Sequence, residues 1–261
     1  MDYEFKPFHS EGEDEQFSEE NVRKEKRLEV TLALLGTVGL NLLVIVLLVP
    51  LLQLIALKNP DRALYFQNVW SNFLIYGIVF TIMVLILHFQ KFLKPLIKEF
   101  TKPSAYLWGF VFGIVVILAQ IMYGIFTETV FGDIPVNENQ EGVVNIIKMN
   151  PIVAFIWIPF IGPLVEELTY RRGLFSRLRR INFPVAIVVT SLLFGLVHFS
   201  IPFTDTNQID LVLLRYELIN LPGYIISGAI FCYTYEKYGF AASSLAHIFN
   251  NLFAFAVTFL V

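Results

Sequence analysis

The run MNPIVAFIWIPFIGPLVEELTYR, residues 149–171, decides how the chain is read. From Met149 to Val165 there is no charge, and then Glu166, Glu167 and Arg171 arrive within six positions. An uncharged helical run of this kind approaches the roughly 20 residues that cross a bilayer. Ionisable side chains at membrane depth are costly, so they face a polar cavity, pair with one another, and mark a working site. Pro159 and Pro163 stand just ahead of the carboxylates. Pro163 cannot donate to the carbonyl of Pro159, so the helix is expected to kink or unwind there and admit water beside Glu166.

The rest of the chain agrees with a membrane setting. It has 261 residues, 56% hydrophobic and 16% charged, with a mean hydropathy of +0.64. Soluble domains carry about a quarter charged residues. Besides the segment from Pro151, uncharged runs cover 30–57, 68–87, 104–127, 184–199, 218–235 and 240–261. They predict an all-α, polytopic transmembrane helix bundle of about seven spans, with Pro50 bending the first and Pro222-Gly223 interrupting the sixth. Between the second and third runs, Lys91 to Phe100 reads either as an amphipathic interfacial segment or as a basic loop. The stretch through Asp133, Glu138 and Glu141 reads as an acidic, Asn-rich loop. Three regions follow: 1–28, a disordered acidic cytoplasmic tail with a basic juxtamembrane end; 29–148, N-terminal transmembrane helices and loops; and 149–261, a transmembrane core that holds the charged segment.

Alternating the loops across the bilayer puts fifteen of the nineteen Lys and Arg residues on one side, Arg171, Arg172, Arg177, Arg179 and Arg180 among them. That bias predicts a cytoplasmic N-terminus in a multi-pass protein of a cell membrane. The net charge of −3 says little about partners, because both signs sit in loops. The expected partners are the lipid bilayer and a membrane protein or peptide substrate, with no nucleic acid. Cys232, the single cysteine, lies in an apolar run and reads as a packed residue.

Two of the four histidines fall inside predicted spans, His198 in one and His247 in another. Residues four apart share a helix face, so Glu166 stands beside Tyr170, Glu167 beside Arg171, Phe194 beneath His198 and His247 beside Asn251. These side chains suit hydrolysis. A carboxylate in a poorly hydrated pocket can act as general base toward water, a histidine can carry a proton to a leaving amine, and a second histidine with an asparagine can donate to an oxyanion. Ser243 and Ser244 lack the context of a serine nucleophile, and there is no HExxH. Glu166, His198 and His247 could in principle hold a zinc ion, although no cofactor is expected. A non-catalytic membrane scaffold or bacteriocin self-immunity protein is the alternative, and a transporter or proton relay comes third.

In order, Glu166, Glu167, Tyr170 and Arg171 match EExxx(F/Y)R, Phe194 and His198 match FxxxH, and His247 and Asn251 match HxxxN. Together the three motifs resemble the CPBP family of membrane-embedded CaaX proteases and bacteriocin-processing enzymes, also called the Abi family, over roughly the last hundred residues. The resemblance implies an all-helical intramembrane endopeptidase, glutamic or metal-dependent, with the metal-free mechanism preferred here. Its candidate catalytic set is Glu166, Glu167, His198, His247 and Asn251, with Tyr170, Arg171 and Phe194 in support. Within that set Glu166 would activate water with help from His198, His247 and Asn251 would form the oxyanion hole, and Glu167 with Arg171 would steady the site.

Overall fold

Asparagine and proline write most of the helix starts. The Oδ1 atoms of Asn59, Asn137, Asn150 and Asn182 accept from the backbone N–H groups of Arg62, Gln140, Val153 and Val185 at 3.0, 3.1, 3.2 and 3.3 Å. Each thereby satisfies a donor that the first turn leaves open. Pro60, Pro151 and Pro184 follow three of these caps, where a missing N–H costs nothing.

The computed structural model describes residues 19–204 and 206–260. Among them lie α1 (Glu19–Ala56), α2 (Pro60–Val69), α3 (Ser71–Phe89), α4 (Leu93–Glu99), α5 (Pro103–Phe131), α6 (Glu138–Met149), α7 (Pro151–Arg179), α8 (Phe183–Leu196) and α9 (Leu211–Leu260). The only strand-like pairing among the described residues is one isolated bridge, Phe203 to Ile209. Five helices, α1, α3, α5, α7 and α9, are long and apolar enough to cross a membrane. The chain is a multi-pass membrane protein. The 50 residues of α9 form two segments that meet at Gly239, where φ is 88° and ψ −179°. Only glycine adopts that conformation without strain. Together with the apolar but short α8, these account for seven apolar segments in the order expected.

Several expectations need correction. The acidic tail over residues 1–18 lies outside the described residues, but 19–28 belong to α1. The basic residues Arg23, Lys24, Lys26 and Arg27 are exposed there, while Glu25, Leu28 and Glu29 are buried. The Asn-rich loop contains α6, because Asn137 caps it and its apolar face (Ile146, Ile147) packs on Ala154 and Ile158 of α7. Lys91 to Phe100 resolves in favour of a helix, α4. Pro222 does not interrupt α9, and the break falls at Gly239 instead. Arg171 and Arg172 are not loop charges either: their side chains are 0% and 2% exposed.

Two π-helical segments, Trp157–Ile161 and Glu167–Phe175, flank Glu166 in α7. The prolines therefore widen the helix rather than unwind it, a response that recurs at functional sites. Pro163 has no N–H for the carbonyl of Ile158 five residues earlier, and the N–H of Gly162 goes to Trp157. The side-chain amide of Asn251 on α9 supplies the missing donor at 3.0 Å. The other end of α7 is fixed by α1. There Arg172 pairs with Glu25 at 3.0 Å and Arg180 with Glu25 and Glu29 at 2.7 and 2.8 Å. Gly173 lets the two backbones touch, since a Cβ there would lie 2.7 Å from the backbone nitrogen of Ala33.

Candidate active site

The adjacent carboxylates face different surroundings, as consecutive helical residues must, being turned about 100° apart. Glu167 points into the protein and is fully buried, while the Glu166 side chain is 16% exposed on the wall of a cavity of about 350 Å³. The cavity lies between α3, α5, α6, α7, α8 and α9.

Glu167 gathers three groups. Its Oε1 sits 3.2 Å from a terminal nitrogen of Arg171 and 3.0 Å from His247 Nδ1, and its Oε2 accepts from the Ser243 hydroxyl at 2.5 Å. Arg171 also donates to the Gly228 carbonyl at 3.3 Å and lies over the rings of Phe194 and Phe231, 4.4 and 5.1 Å from their centroids. A carboxylate only accepts, so the contact puts a proton on His247 Nδ1. That leaves Nε2 directed toward Glu166, 3.7 Å from Oε2. Stacking on Phe231, with centroids 4.4 Å apart, fixes the plane of the His247 ring.

His198 sits in the turn after α8 rather than within a span. Its Nδ1 donates to the Phe194 carbonyl at 2.7 Å, the i,i+4 relation expected. Its ring stacks on Tyr224 at 4.5 Å, and its own carbonyl accepts from Asn137 Nδ2 at 3.1 Å. Tyr224 in turn donates to Asn137 Oδ1 at 3.1 Å. The buried Glu217 ties the neighbouring backbone, accepting from Glu138 N at 2.8 Å and Ser200 N at 3.2 Å. Both histidines are thus held at Nδ1, and both line the cavity.

The fold therefore brings Glu166, His198, His247 and Asn251 to one cavity wall, with Glu167 behind His247. Tyr170 and Phe194 pack edge to face at 5.5 Å and form part of the backing. One expected role narrows: an N–H of Asn251 is already committed to Ile158, which leaves the other for a ligand. Glu167 is bonded to His247 and is not among the cavity-lining residues, so any influence it has on a ligand there would run through His247. Sequence reasoning missed Tyr224, Asn137, Glu217 and Asn250, and weighed Ser243 only as a nucleophile, not as a partner of Glu167. Ser243 alone had a signal, since it lies four residues before His247 on the same face.

A zinc site requires convergence. Among the described residues, no three His, Cys, Asp or Glu side chains come together closely enough to hold a metal ion. As placed, Glu166, His198 and His247 do not fit zinc.

Comparison with known proteins bears on the same region. The sequence profile described as type II CAAX prenyl endopeptidase Rce1-like matches residues 148–253. A Mycoplasma capricolum protein described as uncharacterized is 28% identical over 203 residues, 71% of this chain and 56% of its own length. The putative membrane peptidase YdiL of Bacillus subtilis is 25% identical, covering 54% of this chain and 57% of its own. The membrane-embedded CAAX protease MroQ of Staphylococcus aureus is 28% identical, covering 62% and 66%. The chain thus spans 56 to 66% of the length of these curated relatives. No solved structure matches. The profile match contains all three motifs, from Glu166 to Asn251, so residues 148–253 of this chain are similar to the Rce1-like type II CAAX prenyl endopeptidases.

Proposed function

We propose that the chain is an intramembrane endopeptidase that hydrolyses peptide bonds of a membrane-associated protein or peptide with water activated by Glu166. One observation carries this reading. Glu166 meets the free nitrogen of His247 across 3.7 Å on a cavity wall, while the other nitrogen of His247 is fixed by a fully buried carboxylate. The names of the Bacillus and Staphylococcus relatives, a membrane peptidase and a membrane-embedded CAAX protease, support the same reaction class.

In the proposed mechanism Glu166 takes a proton from water as the water oxygen bonds to the carbonyl carbon. The charge that develops on the carbonyl oxygen is met by the uncommitted N–H of Asn251 and by His247 protonated at Nε2. That protonated form is flanked by Glu166 and Glu167, one carboxylate on either side. The C–N bond then breaks, and the proton held by Glu166 passes to the leaving nitrogen, directly or through His198. Preorganised donors in a water-poor site stabilise such charge without reorganisation, and removing one costs about 10²–10³ in rate. The same reading places the exposed Arg23, Lys24, Lys26 and Arg27 in the cytoplasm.

The test compares membrane and secreted peptides from cells carrying wild type or Glu166→Gln, with His198→Ala as a second variant. Both variants are expected to fold, to reach the membrane, and to accumulate an uncleaved precursor. Undiminished processing by Glu166→Gln would overturn the proposal.

A further inference from the structure

Away from the cavity, the connection between α3 and α5 folds into α4 and presents two different sides. Its inner side is fixed by packing. Phe92 and Leu96 are buried in one cluster with Leu28 of α1, Leu87 of α3 and Phe240 of α9. Phe100 meets the Phe240 ring edge to face at 6.1 Å, and Glu99 accepts from Ala241 N at 3.0 Å. These contacts hold α4 level with the break in α9 at Gly239, at the end of the bundle where α1 begins.

The same level carries a stacked pair of amphipathic rings. Trp108 of α5 lies on Tyr238 of α9 with centroids 4.3 Å apart and planes at 18°. Tryptophan and tyrosine collect where a membrane meets water, because each has an apolar body and a polar tip. Their position puts α4 in the headgroup layer.

The outer side of α4 is cationic and apolar at once. Lys94 and Lys98, four residues apart, share a helix face and are exposed, and Lys91 is exposed just ahead of the helix. None of the three has an ion pair among the described residues. Beside them Ile97 is 55% and Phe89 77% exposed. Cations interleaved with apolar side chains suit a helix that lies in the interface, with ammonium groups toward lipid phosphates and apolar groups toward the acyl boundary. The basic run of α1 differs. Lys24 there pairs with Glu20 at 2.8 Å, and residues 19–29 expose no large apolar side chain.

We propose that α4 is a docking surface for anionic phospholipid, with Lys94 and Lys98 on the headgroup phosphate and Ile97 and Phe89 against the acyl boundary. No group of the cavity enters this inference, so it stands apart from the hydrolase reading.

The test follows lipid added to the full chain in detergent by native mass spectrometry, with dioleoylphosphatidylglycerol and dioleoylphosphatidylcholine as probes. A lysine near an anionic surface contributes about fivefold in binding. Wild type is therefore expected to take its first phosphatidylglycerol at least about tenfold more tightly than phosphatidylcholine. Lys94→Gln combined with Lys98→Gln should bring the two lipids within about threefold of each other, at an unchanged melting temperature because both side chains are exposed. Lys26→Gln combined with Arg27→Gln on α1 removes the same charge and should move the ratio by less than about twofold. Equal binding of the two lipids by wild type, or a preference that survives the α4 pair, would overturn the inference. So would an equal loss in the α1 pair. Displacement of the lipid by a soluble oligoglutamate peptide, beyond what sodium chloride achieves at the same ionic strength, would assign the lysines to an acidic protein partner and overturn it as well.

Discussion

Glu167→Gln separates what the buried carboxylate does for the fold from what it does for His247. The change keeps side-chain volume and removes one charge from a pair in which both members are fully buried. Breaking such a pair from one side costs about 3–5 kcal/mol, because the partner is left uncompensated. Arg171 would keep the Gly228 carbonyl and the faces of Phe194 and Phe231. Those cation–π contacts offset about 1–2 kcal/mol, so the net loss should be about 1–4 kcal/mol. At roughly 2–4 °C per kcal/mol for a chain of this size, the melting temperature falls by roughly 2–16 °C. Activity should fall further than stability explains, by about 10²–10⁴-fold, since a neutral amide supports the His247 imidazolium poorly and no longer fixes its tautomer. Adding Arg171→Met removes the stranded cation and should restore most of the melting temperature without restoring activity. The assay pairs a thermal melt in detergent with turnover of whichever precursor Glu166→Gln leaves uncleaved. A double variant that regains both properties would refute the positioning role, and a single variant melting like wild type would refute the energetic argument.

Three further outcomes follow from the fold. Gly173→Ala should cost about 1–3 kcal/mol, because its Cβ would meet the Ala33 backbone nitrogen at 2.7 Å and neither backbone can give way; Gly77→Ala, with nothing within 4 Å, is the control that should not destabilise. Glu99, which accepts from Ala241 N at 3.0 Å in the connection outside the spans, has its carboxyl pushed above the usual 4.5 by burial, against the opposing backbone hydrogen bonds. The folded state therefore holds that proton more tightly than the unfolded one, and stability falls as pH rises from about 4.5 through the raised value. Glu99→Gln keeps an acceptor for Ala241 and should flatten that slope in melts across pH, whereas an unchanged slope would assign it to other groups. Finally, purified active protein should retain turnover after exhaustive chelation; stoichiometric zinc lost together with activity would reverse the metal-free reading.

Much of the site was legible because one rule, four residues to a shared helix face, holds wherever α-helical geometry holds. It placed Arg171 on Glu167 and Phe194 beneath His198. It could not place Arg172, one residue further round, whose partners Glu25 and Glu29 lie nearly 150 positions earlier. Read as a string, Arg172 and Arg180 are loop charges that orient the chain in a membrane. In the fold they hold α1 against the helix that carries Glu166 and Glu167, and the exposed cluster at Arg23 to Arg27 is left as the clearer topological signal. The Asn-rich loop misled for a related reason: Asn137 is a turn residue by composition, yet here it caps α6 and binds both Tyr224 and the His198 carbonyl.

The proline pair shows why the site needs distant helices to be complete. Widening α7 at Trp157–Ile161 exposes a carbonyl, and Pro163 removes the N–H that would have closed it. Asn251, from α9, closes it instead and is brought to the wall in doing so. The same step that opens the helix ahead of Glu166 therefore fixes the height of α9 against α7, and with it the position of His247 four residues before Asn251. On this argument Asn251→Ala and Pro163→Ala are not independent. A donor restored at position 163 should recover part of the stability lost with Asn251, but none of the donor lost from the cavity. The pair should thus be coupled in melting temperature and uncoupled in turnover. Coupling in both would mean that Asn251 serves the helix alone.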